Sequence, residues 1–163
     1  MHRNTTHAKT LFLCRAALIA ALYTVLTLLS AAMGLSSGVI QIRFSEMLCI
    51  LPMFTPAAIP GIAIGCLCSN LITGAIWQDI VFGTLASLIG AYGTYALRRF
   101  KWLAPIPPIL SNTIIVPLVL IYAYGVSDAL PYLMLTVGIG EVISAGLLGM
   151  ILLKSLEKHK DIF

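Results

Sequence analysis

Three apolar runs decide what this chain can become. Leu11–Met33 carries a single charge, Arg15, in 23 residues; Leu103–Tyr124 carries none in 22; Pro131–Leu153 carries only Glu141 in 23. An α-helix rises about 1.5 Å per residue and the hydrocarbon layer is about 30 Å thick, so each run is long enough to cross a bilayer. Runs of this length read as membrane-spanning helices. Charged residues make up 10% of the chain and mean hydropathy is +1.00. Soluble domains carry about 25% charge, so the sequence reads as an integral membrane protein.

Between the long runs lie three more apolar segments. The expected fold class is an all-α bundle of six transmembrane helices: Leu11–Met33, Ile40–Phe54, Ala57–Ile76, Asp79–Leu97, Leu103–Tyr124 and Pro131–Leu153. Gly34–Val39, Pro52, Pro56 and Pro60, Arg98–Trp102 and Gly125–Leu130 punctuate them, and Pro117 should kink the fifth. The domain reading is a polar segment over 1–10, one membrane domain over 11–153 and a polar tail over 154–163. Six crossings put both termini on one side. Arg3, Lys9, Arg15, Arg98, Arg99, Lys101, Lys154, Lys158 and Lys160 then share that face, and only Arg43 lies opposite. The positive-inside rule makes the shared face cytoplasmic. The basic residues follow topology, so the net charge of +4 does not indicate nucleic-acid binding.

The polar residues inside the apolar segments are the functional candidates, because intramembrane ionisable groups are costly. Arg43 and Glu46 sit three residues apart at the start of the second segment, and on a helix they would face each other across one turn. Gln41 lies at the mouth, and Asp79 opens the fourth segment. By helix rise, Asn70 lies about 9 Å from the outer surface, Glu141 about 15 Å and Asn112 about 18 Å. They come from five segments and mostly occupy the outer half, as a solute pocket open to the outside requires. Structural roles compete. Arg43 and Glu46 can pair, Asp79 can cap its helix, and Asn70 and Asn112 can hydrogen-bond between helices. Glu141 is the hardest to dismiss, since no basic residue is evident at its depth.

Small residues recur at helical spacing: Ala16, Ala17, Ala20 and Ala21 on the first segment, Gly61 and Gly65 on the third, Ala86 and Gly90 on the fourth, Ala145 and Gly149 on the sixth. They permit close helix contact within the bundle or, on the first helix, with a separate subunit. The four cysteines all sit in apolar runs and read as small hydrophobes, without a metal site or disulfide. His2, His7 and His159 are terminal. The chain contains no phosphate loop, no His-Glu-x-x-His and no nucleophile-elbow serine. An enzyme is disfavoured, as is a self-sufficient secondary carrier, since the two halves show no repeat.

Several strings together cover most of the chain: IQIRFSEMLCILPMF (Ile40–Phe54), PAAIPGIAIGCLCSNLITG (Pro56–Gly74), DIVFGTLASLIGA (Asp79–Ala91), LAPIPPILSNTIIVP (Leu103–Pro117) and TVGIGEVISAGLLG (Thr136–Gly149). In content and order they resemble the QueT family, substrate-binding S components of energy-coupling factor transporters for queuosine precursors. The resemblance implies the S-component bundle and three partner subunits: a transmembrane T component and two cytosolic ATPases. The ATPases would use ATP and magnesium, with no cofactor in this chain. It also implies a docking patch for the T component at Ala16 and Ala20 or at Ala17 and Ala21. The implied solute is a 7-deazaguanine: the 7-cyano or 7-aminomethyl form, or queuine. Its ring amide and exocyclic amine suit a carboxylate, for which Glu141 is the choice. Asn112 or Asn70 would read the ring carbonyl and nitrogens, Asp79 or Glu46 would attract an aminomethyl cation, and Trp77, Phe82 or Tyr132 would stack. Gln41 and Arg43 complete the candidate site. Two alternatives stay open: an S component for another vitamin or nucleobase, and a membrane scaffold that moves no solute.

Overall fold

A computed structural model describes residues 3–36 and 40–158 of the chain. Among the described residues all regular structure is helical. The elements are α1 (Arg3–Ala32), a 3₁₀ helix (Phe44–Met53), α2 (Ala58–Ile72), α3 (Trp77–Ala96), a short 3₁₀ turn (Lys101–Leu103) and α4 (Ile106–Tyr122). A final rod follows, made of α5 (Leu130–Glu141), a π-helical stretch (Val142–Leu148) and α6 (Gly149–Glu157). Three stretches are long and apolar enough to cross a membrane: Thr6–Ala32, Lys101–Tyr122 and Leu130–Glu157. The 3₁₀ helix and α2 are apolar but shorter.

Polarity is distributed inside out. Leu13, Leu18, Val25, Leu135 and Leu147 are each at least 60% exposed, while Glu46, Asn70, Asn112, Ser45, Ser87 and Thr94 are buried. A contiguous apolar exterior of this extent needs an apolar surrounding. The buried hydroxyls bond backbone carbonyls and one another: Thr27 donates to the Tyr23 carbonyl and lies 2.8 Å from Ser45 Oγ, and Thr24 reaches both Ala20 O and Gly65 O.

Helix directions follow from close approaches. A Cβ on Gly61 would meet Ala16 O at 2.8 Å, and one on Gly65 would meet Ala20 O at 2.9 Å and Tyr23 Cβ at 2.6 Å. So α1 and α2 run parallel in near backbone contact. Gly90 and Gly93 lie against Pro108 and Pro107, which makes α3 and α4 antiparallel. Gly140 lies against Gln41, and Gly149 lies near Met47, so the final rod runs parallel to the 3₁₀ helix. The 3₁₀ helix contributes to both hydrophobic cores. Leu48, Cys49 and Leu51 pack with Ile19, Tyr23 and Ile62, and Ile50 packs with Ala104 and Leu153.

The structure changes four details of the sequence reading. The second segment begins as a helix only at Phe44, and Arg43 has extended backbone (φ −116°, ψ 110°). Arg43 and Glu46 therefore do not share a helical turn. The 3₁₀ winding stacks residues three apart, so Glu46, Cys49 and Pro52 form one row. The third segment stops at Ile72 instead of Ile76. Gly74 adopts φ +72°, and the N–H groups of Gly74 and Ala75 bond back to Leu71 O and Asn70 O, a glycine-terminated helix end. Asp79 does not cap its helix, which starts two residues earlier at Trp77. The sixth segment runs to Glu157 and contains the π stretch. In addition, α1 starts at Arg3, eight residues ahead of the apolar run. Residues 37–39 of the expected turn, His2, and His159 and Lys160 of the tail lie outside the described residues.

Candidate functional site

Two buried carboxylates sit at the heart of the fold in opposite circumstances. Glu46 is 2% exposed. Its Oε1 accepts the Tyr23 hydroxyl hydrogen bond, and its Oε2 accepts from Cys49 Sγ at 3.2 Å and Asn112 Nδ2 at 3.4 Å. The carboxylate thus ties α1, the 3₁₀ helix and α4 together. Glu141 is 9% exposed, and its Oε2 is buried without a hydrogen-bond partner. It interacts electrostatically with Glu46 and Arg43, and the Asn112 side chain lies beside it.

The local winding places Glu141. It is the last α-helical residue before the π stretch, where the wider turn breaks the i→i−4 pattern. Such bulges often occur at functional sites. Directly opposite runs the extended segment that holds Gln41 and Arg43. The Gln41 carbonyl would be 2.1 Å from a Cβ on Gly140, so only glycine fits there. The Arg43 N–H donates to Ser144 Oγ at 3.1 Å, and the Phe44 N–H donates to Ser30 Oγ at 2.9 Å. Among the described residues, Arg43's guanidinium makes no hydrogen bond and no close ion pair; the close pair is Lys101–Glu157, at the other end of the fold.

Gln41, Arg43, Asn112, Val116, Val137 and Glu141 enclose a cavity of about 20 Å³. A free acceptor and a free cationic donor therefore line one small polar space with two valines. A larger apolar groove of about 540 Å³ lies between α3 and α4, lined by Gln78, Phe82, Ile115, Leu118 and Tyr122 among others. It contains no ionisable group other than the Tyr122 phenol.

Of the candidates named from sequence, Gln41, Arg43, Asn112 and Glu141 meet at this cavity, and Glu46 adjoins it through Asn112. Asn70 sits apart, 3.7 Å from Cys66 Sγ, which Ser87 also approaches at 3.4 Å. Asp79 receives a 3.1 Å hydrogen bond from the Tyr124 hydroxyl. Burial and the nearby Asp79 carboxylate raise the Tyr124 pKa above the ordinary phenol value. Trp77 is 67% exposed and Tyr132 46% exposed; neither lines the cavity, and Phe82 lines the apolar groove. Of the alanines, Ala16 and Ala20 are buried against α2, while Ala17 and Ala21 are exposed.

Sequence reasoning missed Tyr23, Cys49 and Ser144. Tyr23 carried a signal: it is the one tyrosine inside the first apolar run, and a buried phenol needs a partner. Cys49 was legible only with 3₁₀ spacing, which stacks it on Glu46. Among the described residues no group of His, Cys, Asp and Glu is arranged to hold a metal ion.

No solved structure matches the chain significantly. It is 36% identical over 95 residues to the queuosine precursor transporter QueT of Lactococcus lactis subsp. cremoris (strain MG1363). That alignment covers 58% of this chain and 56% of the relative, so the chain spans little more than half the length of the relative it matches. The QueT transporter family pattern matches residues 13–158, which include every residue of the cavity and of the Glu46 network. The chain is a membrane protein that belongs to the QueT transporter family.

Proposed function

We propose that this chain is the substrate-binding S component of an energy-coupling factor importer and that it captures a 7-deazaguanine queuosine precursor. The observation that carries the reading is the pairing of a free carboxylate oxygen on Glu141 with a free guanidinium on Arg43 in one buried cavity. A deazaguanine presents a ring N–H beside an exocyclic amine, and one carboxylate can accept from both with charge assistance. Val116 and Val137 supply apolar walls, and Asn112 adds a further polar contact. Glu46 holds the walls in place from behind.

The whole chain is proposed to cross the bilayer six times, with both termini cytoplasmic. The parallel course of α1 and α2, the antiparallel course of α3 and α4, and the nine basic residues that the sequence groups on one face support this. Residues 11–153 form the binding domain, and 1–10 and 154–163 are its cytoplasmic flanks. Energy comes from two ATPase subunits using ATP and magnesium, joined through a T component. The exposed pair Ala17 and Ala21 suits docking to that component, since Ala16 and Ala20 are occupied by α2. Pockets for small molecules are usually about 300–1,000 Å³, so a bicyclic base enters only if a wall moves.

The test is calorimetric titration of the purified chain in detergent with 7-cyano-7-deazaguanine, its 7-aminomethyl analogue, queuine, guanine and riboflavin. Tight binding of a deazapurine alone supports the reading. Binding of riboflavin alone, or of no member of the panel by folded protein, contradicts it.

A further inference from the structure

Arg43 is the one cationic group lining the cavity, and its backbone is anchored on two sides. Its backbone N–H is held by Ser144 in the π stretch, and the neighbouring Phe44 N–H by Ser30 on α1. Two residues earlier, the Gln41 carbonyl presses on Gly140, next to Glu141. The backbone that carries the guanidinium is thus pinned to the same turn that carries the free carboxylate. The guanidinium feels Glu46, Asp79 and Glu141 electrostatically yet bonds none of them closely. Its donors are therefore available, and the surrounding acids keep the charge in place.

We infer that Arg43 is a specificity-determining residue that donates to the 6-oxo group of the bound ring while Glu141 accepts from the adjacent N–H edge. This rests on the deazaguanine reading above and adds the group on the ligand that is selected and the side chain that selects it. The chemistry favours arginine over the other polar neighbours. Arg donates only and does not lose its proton, so it rewards an acceptor and rejects an amine at the same place. Asn112 donates one amide N–H to Glu46 and keeps both a second N–H and its carbonyl, so alone it does not separate the two. Gln41 has the same ambiguity. The cavity is then complementary to a donor–donor–acceptor edge: carboxylate against the two donors, guanidinium against the carbonyl.

The experiment compares 7-deazaguanine with 7-deaza-6-thioguanine, which keeps the ring N–H and the 2-amino group but replaces the carbonyl oxygen with a much weaker acceptor. Both are titrated into the wild-type chain, Arg43→Lys and Arg43→Met. The expected result is a wild-type preference for the oxo ring of about 10-fold or more, the scale of a hydrogen bond to a charged group. Arg43→Lys keeps most of that preference, and Arg43→Met brings the ratio close to one. A wild-type ratio near one overturns the assignment even if no variant folds. So does an Arg43→Met variant that binds both rings more weakly with the ratio intact, which would make Arg43 a structural charge. If folded wild-type protein binds neither ring, the deazaguanine reading itself has failed, and that outcome is distinct from an equal affinity for both.

Discussion

Glu46 and Glu141 are the same residue type, both buried and both beside the Asn112 side chain, and they have opposite surroundings. Glu46 accepts from a phenol, a thiol and an amide that come from three different segments. Glu141 keeps one oxygen without any partner. Around Glu46 the helices are in backbone contact: Gly65 leaves no room beside Tyr23 and Ala20. Around Glu141 the α-helix gives way to a π stretch and the facing segment is extended. Buried polar groups in membranes are normally satisfied by protein. One carboxylate is fully used in tying segments together, and the other keeps an open acceptor, the group that the proposed solute would engage.

That division can be attacked from its rigid side first. Gly65→Ala puts a methyl group into Tyr23 and the Ala20 carbonyl, so α1 and α2 must separate. We expect the largest loss of stability, about 3 kcal/mol, read by thermal unfolding in detergent. Glu46→Ala removes the acceptor for Tyr23, Cys49 and Asn112. Two of these bonds, from Tyr23 and Asn112, cross between helices; at about 0.6–1.7 kcal/mol each, stability should fall by about 1–3 kcal/mol, with ligand affinity reduced only through loss of folded protein.

On the open side the pattern reverses. Tyr124→Phe removes a tie between the α4–α5 connection and α3, at an exposed position, and should cost about 0.5 kcal/mol. The same tie gives a pH signature. Because the folded Tyr124 pKa is raised, the tie is intact below pH about 10 and weakens as pH rises through the folded value. A melt series from pH 8 to 11 should show this loss in wild type and not in Tyr124→Phe. Least disruptive of all, Ala17→Leu should change stability by under about 0.5 kcal/mol, since the site is exposed. It should nevertheless abolish co-purification with the T component if the exposed alanine pair is the docking face. Ala16→Leu, aimed at α2, should unfold the chain instead.

Much of this fold was readable from hydrophobic length alone. The long runs at Leu11, Leu103 and Pro131 became long helices, and the glycine pair Gly61 and Gly65 met Ala16 and Ala20 as small-residue spacing suggests. Winding was not readable. Neither the 3₁₀ form of Phe44–Met53 nor the π stretch after Glu141 follows from periodicity, because tertiary packing sets both. Those two departures decide which polar residues meet. Arg43 left its expected helical turn and joined Glu141, while Glu46 turned toward Tyr23. Depth counting brought Asn112 and Glu141 to similar levels and also suggested Asn70, which belongs to a separate cluster around Cys66. Aromatic residues near the expected outer face could not be oriented by sequence, and Trp77 and Tyr132 face outward.

The most direct test measures stability and binding together in Glu141→Gln, which removes the charge and keeps the shape. The ligand is 7-aminomethyl-7-deazaguanine, followed by calorimetry, and the melt is taken on the same sample. The melt should stay within about 0.5 kcal/mol of wild type, and the affinity should be about 10- to 100-fold weaker, as expected for a lost charge-assisted hydrogen bond. A destabilised protein that binds with unchanged affinity would contradict this, and would make Glu141 a second structural carboxylate like Glu46.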